Sequence, residues 1–243
     1  MEQVLVSKIG EALALLQRAS LAHRPVAFAS SLSAEDMLLT DLIARHRLDI
    51  GIFTLDTGRL HGDTLQLVAR IRQHYGLEVR VVKPDPRAVS EYVVHFGRDA
   101  FYRSVELRKR CCEIRKVEPL ERALAGHRAW ITGLRREQSP ARADLALEEF
   151  DAAQGLLKFN PLADWSEAEV WACLRGFDVP YNPLYDQGYR SIGCAPCTRP
   201  AVAGEDPRAG RWWWEPSGSQ QHSQECGLHV APDGRLVRAR VPA

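Results

Sequence analysis

The sequence has almost no charge imbalance: 32 lysines and arginines stand against 31 aspartates and glutamates, a formal net charge of +1. Bulk charge therefore indicates neither a nucleic-acid-binding nor a membrane-surface protein. Long apolar runs are missing too, and no stretch approaches the roughly 20 apolar residues of a membrane-spanning helix. The opening segment MEQVLVSKIGEALALLQRAS mixes charges into its apolar positions and reads as an amphipathic helix, not a signal peptide. No internal repeat is visible, and the ordinary composition excludes bulk disorder. These absences lead to the expectation of a cytoplasmic, reducing location. There the six cysteines are not disulfide staples and need a metal, catalytic or buried-thiol explanation. A chain of 243 residues is long enough for one α/β domain with a sizeable core.

The local pattern alternates strand and helix. Val4, Ile9, Leu13, Leu16 and Leu21 have helical spacing, ended by Pro25. Short strands are expected at Val26–Ala29, Ile50–Leu55, Val79–Val82, Ala129–Thr132 and Leu156–Phe159. Helices are expected at Ala34–Arg45, Asp63–Tyr75, over much of Phe101–Ala125, and from the capping box Ser166/Glu169 to Arg175. Pro84 and Pro86 read as a loop. The alternation predicts a mainly parallel twisted sheet with helices on both faces. Beyond Pro180 periodicity weakens, and the expectation is loops over one sheet end, then a mobile tail. The expected division is a nucleotide-binding α/β domain with the cysteine site over 1–215 and a flexible C-terminal tail over 216–243.

Three turns at strand ends hold candidate ligand groups, since open α/β sheets bind ligands at the C-terminal ends of their strands. Ser30, Ser31 and Ser33 precede a helix whose N-terminal N–H groups suit phosphate. Equally, Ser33 could be a plain N-cap, with Glu35 and Asp36 in the favoured first turn. Asp56, Thr57 and Gly58 end the next strand, and this Asp could hold a ribose or an adenine amine, or could simply shape a turn. The loop from Thr132 to Arg142 carries Arg135, Arg136 and Arg142, suited to a polyanion. Alternatively its charges pair with Glu148 and Glu149.

The cysteines fall into separate classes. Cys111 and Cys112 are adjacent, and Cys194 and Cys197 form a C-x-x-C pair far along the chain. If the fold brings the pairs together, four thiolates suit zinc or an iron–sulfur cluster. The C-x-x-C alone could also be a redox dithiol. Adjacent cysteines on a helix point about 100° apart, which favours a bulky cluster over one small ion. Cys173 sits at core spacing with Val170, Leu174 and Phe177 and reads as a buried thiol. Cys226, in the polar tail beside His229, is placed to be a nucleophile, though an incidental surface thiol is the alternative.

Taken together, the motifs SSLSAED, LDTGRL, KRCCEIRK, ITGLRREQSPAR, DVPYNPLYDQGYRSIGCAPCTRP, AGRWWWE and ECGLH resemble the assimilatory sulfonucleotide reductases. Within that family they are most similar to the adenylyl-sulfate (APS) reductases that carry a [4Fe-4S] cluster. The resemblance implies an adenine-nucleotide α-hydrolase-like fold. It implies cluster ligation by Cys111, Cys112, Cys194 and Cys197, with Cys226 as nucleophile. It puts Lys116, Arg208, Arg211 and His229 near the phosphosulfate, and Ser30 to Ser33, Asp56 and the Arg135 loop near the nucleotide. A thioredoxin-like dithiol protein is the implied partner, with no nucleic acid and no membrane, and self-association stays open. One departure is visible: the stretch Pro216 to Gln224 is a few residues longer than the pattern leads one to expect. The alternatives are a 3′-phosphoadenylyl-sulfate (PAPS) reductase, an ATP pyrophosphatase-type adenylating enzyme and a zinc-binding interaction module. The complete cysteine quartet disfavours the first. The second is disfavoured because the serine turn lacks two consecutive glycines. The third leaves Cys226 and the arginine loop without a purpose.

Overall fold

The computed structural model describes residues 2–202 and 204–215. Cys226, His229 and the division at 216 lie outside the described residues.

Six strands form one sheet in the order β3-β2-β1-β4-β6-β5. They are β1 (Val26–Ala29), β2 (Gly51–Leu55), β3 (Arg80–Val82), β4 (Ala129–Ile131), β5 (Glu148–Asp151) and β6 (Leu156–Phe159). All neighbours run parallel except β5, which pairs antiparallel with β6 through Glu148↔Phe159 to Asp151↔Leu156. The α-helices are α1 (Glu2–Ala22), α2 (Ala34–Arg45), α3 (Gly62–Tyr75), α4 (Pro86–Phe96), α5 (Val105–Cys112), α6 (Glu118–Leu124) and α7 (Glu167–Gly176).

The two faces of the sheet follow from strand alternation. Val26, Phe28, Ile52, Ala129, Ile131 and Phe159 face the larger core, with α1, α2, α3 and α7 packed on it. Ala27, Phe53 and Trp130 face the opposite side, where Leu120, Ala123 and Leu124 of α6 cover them. Helices thus cover both faces, as the alternation predicted. The strand order reverses beside β1, because β2 and β3 lie on one side of it and β4 on the other. That reversal opens a crevice beyond the C-terminal ends of β1 and β4.

Several expectations are corrected. The Pro84–Pro86 stretch starts a helix: Asp85 Oδ1 accepts from Arg87 N at 2.6 Å and Ala88 N at 3.3 Å, and Pro86 takes the first-turn position where no N–H is needed. Strand β5 was not anticipated, because its sequence EEFD has the composition of a solvated edge. The Phe101–Ala125 stretch is largely helical, as expected. A π-helical turn over Glu113–Val117 joins α5 to α6 immediately after the tandem cysteines. Phe177 is not a core residue but is partly exposed under the Arg45 guanidinium. The Ser166/Glu169 capping box on α7 is present as expected.

Candidate active site

A cavity of about 500 Å³ occupies the crevice at the strand ends, a size that suits a nucleotide-scale ligand. Ser30, Ser31 and Ser33 line it from the β1–α2 turn and Arg135 and Arg142 from the loop after β4, and Lys116, Arg208 and Arg211 line it as well. Thr57 also reaches it, whereas Asp56 and Gly58 do not line it. Asp56 instead shapes its own turn, accepting from Gly58 N at 2.9 Å.

The serine turn spends many of its donors internally. Asp36 is buried, and its Oδ2 accepts from both Ser31 N and Ser31 Oγ at 2.6 Å. Leu32, at positive φ, donates its N–H to Ser30 Oγ. Ser33 holds the N-cap position without capping through its side chain, and Ala34 N donates to the Tyr185 hydroxyl at 3.0 Å. Burial pushes the Asp36 carboxyl up to about 6, against the opposing effect of the Ser31 hydrogen bonds.

Glu35 fastens the arginine loop. Its Oε1 accepts from Arg135 Nε at 2.8 Å and from Gln138 Nε2 at 3.0 Å. Both members of the Glu35–Arg135 pair are largely buried, with side chains 9% and 6% exposed. Arg135 thus braces the loop while lining the cavity. Neither Glu148 nor Glu149 takes up the loop's charges: Glu148 pairs with Arg18 and Glu149 with Lys158, while Arg136 pairs with Asp164.

On the same cavity, Arg211 has donors to spare. Its Nη1 makes only long contacts, 3.4 Å each, to Ser191 Oγ and Ile192 O, and its Nε is buried without an acceptor. The Ser139 hydroxyl on the same cavity is likewise buried without a partner. Buried donors lacking acceptors are uncommon, and on a cavity wall they suit an anionic ligand.

Cys111, Cys112, Cys194 and Cys197 line one smaller pocket together with Arg59, Arg108, Arg115 and Lys116. Backbone contacts fix the Cys194–Cys197 segment. Leu60 bridges to Cys194, Ala195 N donates to Arg59 O at 2.7 Å, and Trp212 N donates to Cys197 O at 3.2 Å. Thr57, on the large cavity, places its Oγ1 3.2 Å from Cys194 Sγ. Arg115 Nη1 donates to Thr57 O at 2.7 Å. None of the five described cysteines forms a disulfide. Burial and neighbouring thiols push Cys197 up to about 12, and burial also raises Cys111. Among the described residues no group of three or more His, Cys, Asp or Glu side chains is gathered as a site for a single metal ion. The donor chemistry fits a thiolate-ligated cluster: four thiols converge, and the cations around them suit the net negative charge of such a group. Cys173 lies apart in the core beside Val170 and Leu174, and burial pushes its thiol up to about 11.

Sequence reasoning passed over Tyr185, Gly193 and Trp212 on the cavity and Arg59 and Arg108 on the cysteine pocket. Four of them lie inside motifs already noted, Arg59 in LDTGRL, Tyr185 and Gly193 in the segment ending in the C-x-x-C pair, and Trp212 in AGRWWWE, whereas Arg108 just precedes KRCCEIRK. The small pocket and the large cavity share Lys116.

Residues 25–200 match the family described as the phosphoadenosine phosphosulfate reductase domain. A relative from Burkholderia cepacia, named adenosine 5′-phosphosulfate reductase, is 57% identical over 226 residues, 93% of this chain and 89% of the relative. The crystal structure of phosphoadenylyl-sulfate (PAPS) reductase from Candida auris, a phosphate complex, is similar with a TM-score of 0.68 at 24% identity, covering 82% of this chain and 98% of that one. Candida glabrata FMN adenylyltransferase in complex with ATP is similar with a TM-score of 0.57 at 15% identity over 84% of this chain and 68% of that one. At these identities the two structures speak to the fold alone.

Proposed function

The chain belongs to the phosphoadenosine phosphosulfate reductase family, and from that premise we propose that it is a cytoplasmic oxidoreductase of sulfate assimilation. It converts adenosine 5′-phosphosulfate to sulfite and AMP, with a thioredoxin-like dithiol protein as reductant. The observation that carries this reading is a convergence: two cysteine pairs far apart in sequence line one pocket, and Lys116 belongs both to that pocket and to the nucleotide-sized cavity.

In this reading Ser30, Ser31, Ser33 and Arg142 contact the nucleotide. Arg135 keeps their loop in place through Glu35, and Asp56 and Gly58 support the strand end. Lys116, Arg208 and Arg211 take the phosphosulfate and offset the charge that develops on departing AMP. Cys111, Cys112, Cys194 and Cys197 hold a [4Fe-4S] cluster. When bound, the cluster would supply a compact anionic centre in the pocket that Lys116 also lines. The Cys226 thiolate attacks the sulfuryl sulfur. A sulfur–sulfur bond forms, the sulfur–oxygen bond to phosphate breaks, and AMP leaves. His229 orients or polarises the reacting group. A thiolate of the partner then attacks the Cys226 sulfur, and sulfite departs with the electron pair of the broken bond. The partner's second thiol resolves the mixed disulfide, which restores Cys226 and leaves the partner oxidised to its disulfide.

The test is sulfite release by anaerobically purified protein supplied with reduced thioredoxin and either APS or PAPS. APS should give the higher kcat/KM, and preferential use of PAPS overturns the substrate assignment. Without reductant, the peptide containing Cys226 should gain the mass of one sulfonate. Cys226→Ser should retain nucleotide binding yet release no sulfite. A sulfonate found instead on Cys194 or Cys197 refutes the mechanism.

A further inference from the structure

The Arg211 guanidinium lies flat against a glycine. A Cβ built on Gly193 would stand 2.6 Å from Arg211 Nη2, 2.7 Å from Cζ and 3.1 Å from Nε. Real carbon contacts do not fall below about 3.0 Å. Trp212 also packs against this guanidinium, its ring centroid 4.7 Å from Cζ. Trp212 is itself buried and held by its N–H to Cys197 O and by the buried Arg108, 4.4 Å from its ring centroid. The indole therefore has little room to yield. Gly193 is held as well, its N–H donating to Thr198 Oγ1 at 3.1 Å. Its φ is not positive, so backbone conformation does not require glycine at this position.

We propose that Gly193 is a positioning residue: its missing side chain leaves the space in which Trp212 and the chain at Gly193 hold the Arg211 guanidinium against the cavity. The proposal rests on the reading of Arg211 as an anion-binding side chain. The atoms that a new Cβ would meet are the far end of a flexible side chain, so the guanidinium would swing away while the fold persists. Gly210 is different, because its Cβ would meet the Arg199 backbone carbonyl oxygen at 2.2 Å. There the main chain itself would have to move.

The experiment is a double-mutant cycle on the full chain, purified anaerobically, with Gly193→Ala, Arg211→Ala and the double variant. Iron content, thermal stability and kinetics with APS are measured for each. Gly193→Ala should keep iron and stability and raise KM for APS roughly tenfold, the scale of one lost charge-assisted hydrogen bond. In the Arg211→Ala background, adding Gly193→Ala should change KM less than twofold, because the displaced group is already gone. Unaltered KM in Gly193→Ala, or equal and additive effects in both backgrounds, overturns the proposal. Should Gly193→Ala lose iron, the double variant should regain it, and failure to regain it equally overturns the proposal. Unaltered KM in Arg211→Ala alone overturns the reading of Arg211, a result separate from the outcome of the cycle.

Discussion

Removing the Glu35 carboxylate should be the most costly single truncation at the cavity rim. Glu35 and Arg135 are nearly excluded from water, and this decides the scale. An exposed ion pair contributes about 0–1 kcal/mol, whereas breaking a buried one costs about 3–5 kcal/mol, since the remaining charge is stranded. Arg135 would not be wholly stranded in Glu35→Ala. It keeps Glu137 Oε2 at 3.1 Å and the Trp165 carbonyl at 3.2 Å, though Glu137 is largely exposed. Gln138 would lose its partner as well. The expected loss is therefore near the lower end, about 3 kcal/mol, or roughly 150-fold in the folding equilibrium. Urea titration at constant pH reads it directly: with a slope of about 2–3 kcal/mol/M the midpoint falls by about 1 M or more. The Glu35→Met/Arg135→Met double variant should recover most of the loss, because neither charge then needs a partner. A loss under about 1 kcal/mol for Glu35→Ala, or no recovery in the double variant, would refute the argument that burial makes this pair hold the loop.

Three further outcomes are expected. Because the folded-state carboxyl of Asp36 is raised from 3.8 to about 6, its contribution to stability is fully present below about pH 3.8 and is lost as pH rises through 6. Urea unfolding across that window should therefore show wild type losing about 3 kcal/mol relative to Asp36→Asn, and parallel pH profiles would contradict it. A Cβ on Gly133 would stand 2.2 Å from Asp36 Oδ1, a short side chain already tied to Ser31. Gly133→Ala should accordingly lower stability by about 1–3 kcal/mol, and an unchanged melting temperature would show that the loop gives way. Iron and acid-labile sulfide analysis should find the metal lost in Cys194→Ser and retained in Cys173→Ser, whereas the reverse pattern would undo the ligand assignment.

The sequence by itself determined the features that depend on near neighbours. Strands β1 and β6 and helix α2 fall at the residues that periodicity and punctuation marked out, because apolar spacing and turn residues act within one turn or strand. The Ser166/Glu169 box formed as written because both of its hydrogen bonds lie within one helical turn. The tandem cysteines, the C-x-x-C pair and the buried Cys173 were separable for the same reason: spacing alone sets closely paired thiols apart from a single thiol at a helix-core position. Only tertiary structure decided which distant groups meet. The order reversal beside β1 places Glu35 against Arg135, so an arginine that read only as a phosphate ligand also braces its loop. Its ion pair spans a hundred residues, and no local pattern encodes such a distance. Strand β5 escaped notice because an edge strand is defined by the ladder of its neighbour rather than by its own composition. The convergence of the cysteine pairs on one pocket joins segments some eighty residues apart. The role of Gly193 required the guanidinium laid against it. A sequence records which side chain is absent, but only the folded chain shows what occupies the space it leaves.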